Sequence, residues 1–362
     1  MENMGFNFKN NFDYKKSMTE MMEFQSQMLK GLQNMVEIEK ETIKSDQLEK
    51  EVVYSEDKMK LYHYKPIKKK ICKTPVLITY ALVNRQYMMD IQPDRSVIKS
   101  FLEQGLDVYI IDWGYPTAQD KYLTMDDYIN DYMNTCVDIV RERSKVEKIN
   151  MLGVCQGGTF TTIYCALNPE KVNSMVVMVT PIEFSNNDTL LFAWSKFMNI
   201  DSLVDAFGVV PGEIMNSSYL ILKPLSLTLD KYINLAENMH NKQFLQNFIR
   251  MESWIFDSPG QTGETIRQFV NDLYKENKLA KNEFVLGGKK VDLKNITMPV
   301  LDVYAEYDHL VPASSSKPLA DLVGSKDVEV VSFNVGHIGM YVSSKSQKDI
   351  APKISDWILS HS

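Results

Sequence analysis

An α/β fold on a mostly parallel sheet is predicted by three observations. Short apolar strands alternate with amphipathic helices over residues 75–181, and the alternation resumes at residue 299. A glycine-rich strand–turn–helix, Gly153-Val154-Cys155-Gln156-Gly157-Gly158, lies within the first run. Cys155, Asp308 and His337 each follow a predicted strand, where open α/β sheets place their chemistry.

The elements follow in order. Residues 1–48 contain no proline and are rich in Met, Gln, Glu and Lys. Met18, Met21, Met22, Met28, Leu29, Leu32, Met35 and Val36 recur at helical spacing, which predicts one amphipathic helix over 14–45. That stripe either packs on the chain's own body or binds a partner or lipid-like surface. Residues 51–54 and 59–64 alternate like an antiparallel pair, with His63 a structural polar residue inside it. Strands are expected at 75–80, 107–112, 148–152 and 172–179, with helices at 96–103, 128–143 and 159–167. Residues 182–294 read as helical, broken at Gly208, Pro211, Pro224 and Pro259-Gly260; examples are 189–198 and 238–254. This is an insertion of the size of a cap over a site. Strands at 299–305 and 328–333 and a helix at 350–360 complete the pattern. The expected layout is a helical segment at 1–48, a core at 49–181 with 295–362, and a cap at 182–294.

Composition narrows the class. The chain has 362 residues, 44% hydrophobic, enough for one large domain with an insertion or for two domains. A formal net charge of -7 argues against a general nucleic-acid binder. There is no apolar run of membrane-spanning length, and Met1–Gly5 lacks a signal-peptide core. Cys72, Cys136, Cys155 and Cys165 show no metal-ligand spacing, so a cytoplasmic protein without disulfides or bound metal is expected.

The glycine-rich turn has the context of a nucleophile elbow. A turn this tight strains the nucleophile's backbone and leaves no room for side chains at 153 and 157. The thiol then stands at a helix N-terminus, whose dipole favours a thiolate. The other reading is a plain turn with an inert cysteine. The order Cys155, Asp308, His337 is the α/β-hydrolase order of nucleophile, acid and histidine. His337 would be the base, with His309 as the alternative. Asp308 would orient the imidazole, help deprotonate an incoming hydroxyl, or merely cap the turn at Val311-Pro312. Asp302, inside a strand, reads as a buried, paired carboxylate of no catalytic importance. An oxyanion needs two amides: the N–H of Gln156 and one from Ala81-Leu82-Val83-Asn84, for which Val83 is the choice.

These residues resemble a family. The box around Cys155 resembles that of polyhydroxyalkanoate synthases, which carry Cys where lipases carry Ser. Tyr54-Ser55-Glu56-Asp57-Lys58, Tyr80-Ala81-Leu82-Val83-Asn84-Arg85, Asp107 to Pro116, Trp254-Ile255-Phe256-Asp257-Ser258-Pro259, Asp308-His309-Leu310-Val311-Pro312 and Gly336 to Ser343 look like the class III catalytic subunit. The resemblance covers residues 50–362. It implies an α/β-hydrolase core with a cap, and Cys155, Asp308 and His337 as catalytic residues. It implies (R)-3-hydroxyacyl-coenzyme A as substrate, usually short-chained, and a growing polyester chain in cytoplasmic granules. It further implies a second synthase subunit, with a homodimer or hetero-oligomer expected, and no cofactor. The competing readings are a cysteine hydrolase such as a dienelactone hydrolase and a non-catalytic granule-surface scaffold.

Overall fold

The computed structural model describes residues 14–40, 48–69, 71–223 and 229–362. Packing divides these into two units. One joins the first helix to residues 229–253, and the other holds 48–222 and 254–362.

The larger unit is built on eight strands: β1 (Lys50–Glu56), β2 (Met59–Tyr64), β3 (Val76–Thr79), β4 (Val108–Asp112), β5 (Ile149–Val154), β6 (Val172–Met178), β7 (Val300–Ala305) and β8 (Val328–Phe333). Their order is β1-β2-β4-β3-β5-β6-β7-β8. β2 runs antiparallel to β1 and β4, and the remaining pairs are parallel. This is the α/β-hydrolase fold that the order of motifs predicts. β3, β4, β5 and β7 are buried at every position, because helices cover both faces. Their residues are accordingly apolar almost throughout, with no solvent-facing alternation.

The helices stop and start where side chains satisfy their ends. α2 (Val97–Gln104) is capped by Ser96, whose hydroxyl accepts from the Lys99 N–H, and ends at Gly105 with φ 91°. α3 (Asn134–Ser144) continues a π-helical turn at Asp127–Met133. α4 (Gln156–Leu167) begins three residues earlier than the predicted helix, directly after Cys155. The last helix runs Ala351–Ser360.

The β6–β7 connection carries α5 (Leu190–Phe197), α6 (Ile200–Phe207), α7 (Gly212–Leu222), α8 (Lys231–Asn238), α9 (Lys242–Phe256) and α10 (Gly263–Gln268). It is not wholly helical, which corrects the expectation for 182–294. Val209–Val210 pairs with Gln261–Thr262, and Val285–Leu286 pairs with Lys289–Lys290. Two-residue strands are too short to show a period in sequence. The helix expected over 238–254 is also broken, since α8 ends at Asn238 and the Asn241 carboxamide accepts from the Phe244 N–H to start α9. The expected break at Pro224 lies outside the described residues. Phe184, Phe192, Phe269 and Tyr274, all from this connection, join the core cluster that contains Phe160 of α4. Their rings meet edge to face at 4.9–6.0 Å, with Phe184 and Phe192 stacked.

Asp302 lies in β7 with no exposed surface. One oxygen accepts from the Ser316 hydroxyl at 2.8 Å and the other has no partner among the described residues, so the ion pair expected for this carboxylate is not formed there. Burial pushes its carboxyl up to about 7. The unfolded chain releases this proton near the ordinary value of 3.8, whereas the folded chain keeps it until about 7. Stability therefore falls as pH rises through that window and levels off above it. Asp302→Asn, which imitates the neutral acid, is expected to be more stable than the parent at pH 8, by up to about 4 kcal/mol. The gain should vanish near pH 4, and urea melts at the two pH values check this.

The smaller unit is organised by α1 (Tyr14–Lys40). Residues 41–45 of the predicted helix lie outside the described residues. α1 buries Gly31, Asn34 and Ile38, with Met28 partly covered. Ile38 shares a small core with Met239 and Leu245, and the Asn34 amide donates to the carbonyls of Met239 (3.1 Å) and His240 (2.9 Å). Met21, Met22, Leu29, Leu32 and Met35 remain exposed. The stripe thus spans more than the buried face, and much of it is open. Among the described residues no helix is long and apolar enough to cross a membrane.

Candidate active site

The turn between β5 and α4 holds Cys155 at φ 53°, ψ -125°, a strained conformation for a residue with a side chain. Its N–H donates to Met178 O at 2.9 Å, and its carbonyl accepts from Gly158 N at 2.9 Å. A side chain at Gly157 would run into the backbone carbonyls of Thr79 and Tyr80, which cannot give way. The tightness of the turn therefore seats α4 directly against the end of β3. Gln156 opens α4, so its N–H has no carbonyl one turn earlier to bond.

His337 follows β8 and Asp308 follows β7. His337 Nδ1 lies 2.6 Å from Asp308 Oδ2, with the carboxylate side chain wholly buried. Asp308 Oδ1 accepts from the N–H groups of Leu310 (2.8 Å) and Val311 (3.0 Å). Asp308 thus orients the imidazole and caps the turn at once. The charge of Cys155 also acts on His337. Burial alone would lower its proton affinity, but the charges of Asp308 and Cys155 and the bond to Asp308 outweigh this and raise it to about 10. With Nδ1–H directed at the carboxylate, the other ring nitrogen is left for the thiol. His309 is half-buried beside Asp308; it is His337 that lies between acid and thiol.

Four tyrosines that sequence reasoning did not single out feel the charge of this group. Burial, together with the charge of Cys155, raises the phenols of Tyr80, Tyr219, Tyr274 and Tyr341. They remain neutral, and Tyr80 and Tyr341 place aromatic rings beside His337. The four sequence positions carry no common spacing.

The loop after β3 is fixed from two sides. The Gln156 carboxamide accepts from the Leu82 N–H at 3.1 Å, so that amide is committed. Val83, the next residue, is half-buried. On the other side, Gln261 donates to Leu82 O at 2.9 Å and the Trp254 indole donates to Arg85 O at 2.7 Å. The Asn84 amide donates to Ile255 O at 3.2 Å. Arg85 pairs with Asp112 at 2.8 Å and lies over the Tyr115 ring. Asp257 accepts from the hydroxyls of Tyr115 and, at 2.8 Å, Tyr87. The returning limb of the β6–β7 connection is thereby bonded to the loop beside the thiol. Gln156 entered the sequence reading only for its backbone; its side chain is a second contribution.

Residues 74–343 match the alpha/beta hydrolase fold, and residues 16–101 match the poly-beta-hydroxybutyrate polymerase (PhaC) N-terminus. The "Poly(3-hydroxyalkanoate) polymerase subunit PhaC" of Synechocystis sp. is 48% identical over 95% of this chain and 93% of its own. The protein of the same name from Allochromatium vinosum is 48% identical over 94% of this chain and 96% of its own. Among solved structures, the putative non-heme bromoperoxidase BpoC of Mycobacterium tuberculosis H37Rv superposes with a TM-score of 0.53 at 13% identity, over 86% of this chain and 99% of its own, a likeness of fold alone. An elbow cysteine with a buried histidine bonded to an aspartate, on this fold and with these relatives, assigns the chain: it belongs to the poly(3-hydroxyalkanoate) polymerase family.

Proposed function

We propose that this polymerase, an acyltransferase, makes polyester from short-chain (R)-3-hydroxyacyl-coenzyme A through a thioester on Cys155. The buried His337–Asp308 hydrogen bond, in the field of the strained elbow cysteine Cys155, carries the reading. His337 takes the thiol proton, and the sulfur attacks the thioester carbonyl. The carbon–sulfur bond to coenzyme A breaks, and the departing thiolate takes the proton from the imidazolium. Next, the 3-hydroxyl of the partner acyl group gives its proton to His337. Its oxygen then attacks the acyl carbon on Cys155, an ester forms, and the sulfur leaves. Backbone amides of Gln156 and Val83 would hold the oxyanion in both steps. Exchange of one thioester for another is nearly neutral in energy, which suits a nucleophile that must hold its acyl group until a hydroxyl arrives. The aromatic rings beside His337 and the β6–β7 connection, acting as a cap, would keep water from taking that hydroxyl's place. No cofactor or metal takes part in these steps.

The test is incubation with 3-hydroxybutyryl-coenzyme A, following coenzyme A release and polymer together. Release with polymer supports the reading. Release without polymer would indicate a cysteine hydrolase, and no release with the second subunit present would indicate a scaffold.

The partner is a second synthase subunit, and both chains act at the surface of cytoplasmic polyester granules. The exposed face of α1 supports this, since five large apolar side chains there are open to solvent among the described residues. Met22→Ser with Leu29→Ser leaves the buried Ile38 face intact. This double variant is expected to bind the second subunit at least about tenfold more weakly while its unassisted activity is unchanged. Titration calorimetry beside the parent decides it, and equal affinity would remove α1 from the interface.

A further inference from the structure

Tyr341 is the least explained side chain near the thiol. It lies on the short helix Gly339–Val342, one turn after His337, so both side chains share a face. Its ring meets the His337 imidazole edge-on at 6.1 Å and the Tyr80 ring at 6.2 Å. The residue is 1% exposed, and its hydroxyl has no hydrogen-bond partner among the described residues. Burial pushes the phenol well up, with further contributions from Tyr80, Cys155 and Asp308, so the group stays a neutral donor.

A buried hydroxyl without a partner costs stability, whereas phenylalanine would fill the same space without that cost. The oxygen therefore gives the fold nothing that a phenyl ring would not. A ligand at the thiol is the partner that its position offers. On the mechanism proposed above, on which this inference rests, the thioester carbonyl already has the amides of Gln156 and Val83. The next polar atom of a 3-hydroxyacyl group is the oxygen on its third carbon, two carbons from the thioester carbon. Between aromatic rings that oxygen needs a donor.

We propose that the Tyr341 hydroxyl donates a hydrogen bond to the 3-oxygen of the acyl group at Cys155 and so selects hydroxyacyl thioesters over their deoxy analogues. The selection operates during acylation and is independent of chain growth.

Single-turnover release of coenzyme A from 3-hydroxybutyryl- and butyryl-coenzyme A, by the parent and by Tyr341→Phe, tests this. The parent should favour the hydroxyacyl thioester. Tyr341→Phe should lose about tenfold on that substrate and be unchanged on the butyryl thioester, because only one of them has the oxygen. Its thermal midpoint should equal or exceed the parent's. Equal loss on both substrates, no loss on either, or a lowered midpoint would each overturn the assignment. Failure of the parent to release coenzyme A from either would sink the Cys155 reading as well, a result distinct from all of these.

Discussion

Cys155→Ala is expected to reduce coenzyme A release from 3-hydroxybutyryl-coenzyme A by at least about 10⁴-fold. No other thiol can substitute. Cys136 and Cys165 have no exposed surface, and burial pushes both thiols far up. Cys72 precedes β3 and so lies at the opposite end of the sheet from the elbow. Cys155→Ser should retain at most a trace, because a hydroxyl gives up its proton far less readily than a thiol. Rapid-quench release assays measure both, and iodoacetamide should label Cys155 ahead of the other three. Normal turnover by the alanine variant would end the assignment of the elbow.

His337→Gln and Asp308→Asn are expected to separate the two half-reactions. Glutamine takes no proton, so acylation and elongation should both fall by about 10⁴-fold. Asparagine removes the charge that holds the imidazole's affinity up near 10, and returns it toward its ordinary value of 6.5. A weaker base still suits a thiol but serves an alcohol poorly. Asp308→Asn should therefore keep measurable acylation and lose elongation, by about 10³-fold or more. Acylation is read from the first turnover and elongation from polymer per bound acyl group. Equal loss in both would show that Asp308 matters only as a brace for His337.

The polar centre of the site was legible because its parts are punctuation marks. Cys155 lies between glycines, and Asp308 and His337 each come a few residues after a strand rich in β-branched residues. Such marks are local, so a single sequence displays them. The choice between His337 and His309 was not local. It depends on which imidazole lies between carboxylate and thiol, and only the packing of β7 against β8 decides that. Tyr219, Tyr274 and Tyr341 were invisible for the same reason, since each reads as an ordinary apolar position in its own helix. The faces of α1 show a further limit. Periodicity marks a stripe but does not say that Ile38 is covered while Leu29 is open.

The bonding of Trp254, Asp257 and Gln261 to the loop after β3 has a consequence for anyone recombining these enzymes. The β6–β7 connection looks like a free accessory, a segment to be shortened or swapped for another acyl-chain preference. Its returning limb is not free, because the loop it braces stands next to the thiol. A chimera that takes the whole connection from one parent and the hydrolase scaffold from another would separate a bolt from its socket. It should fold and yet turn over poorly. The workable crossover lies before Trp254, so that residues 254–261 travel with 81–87 as one heritable block.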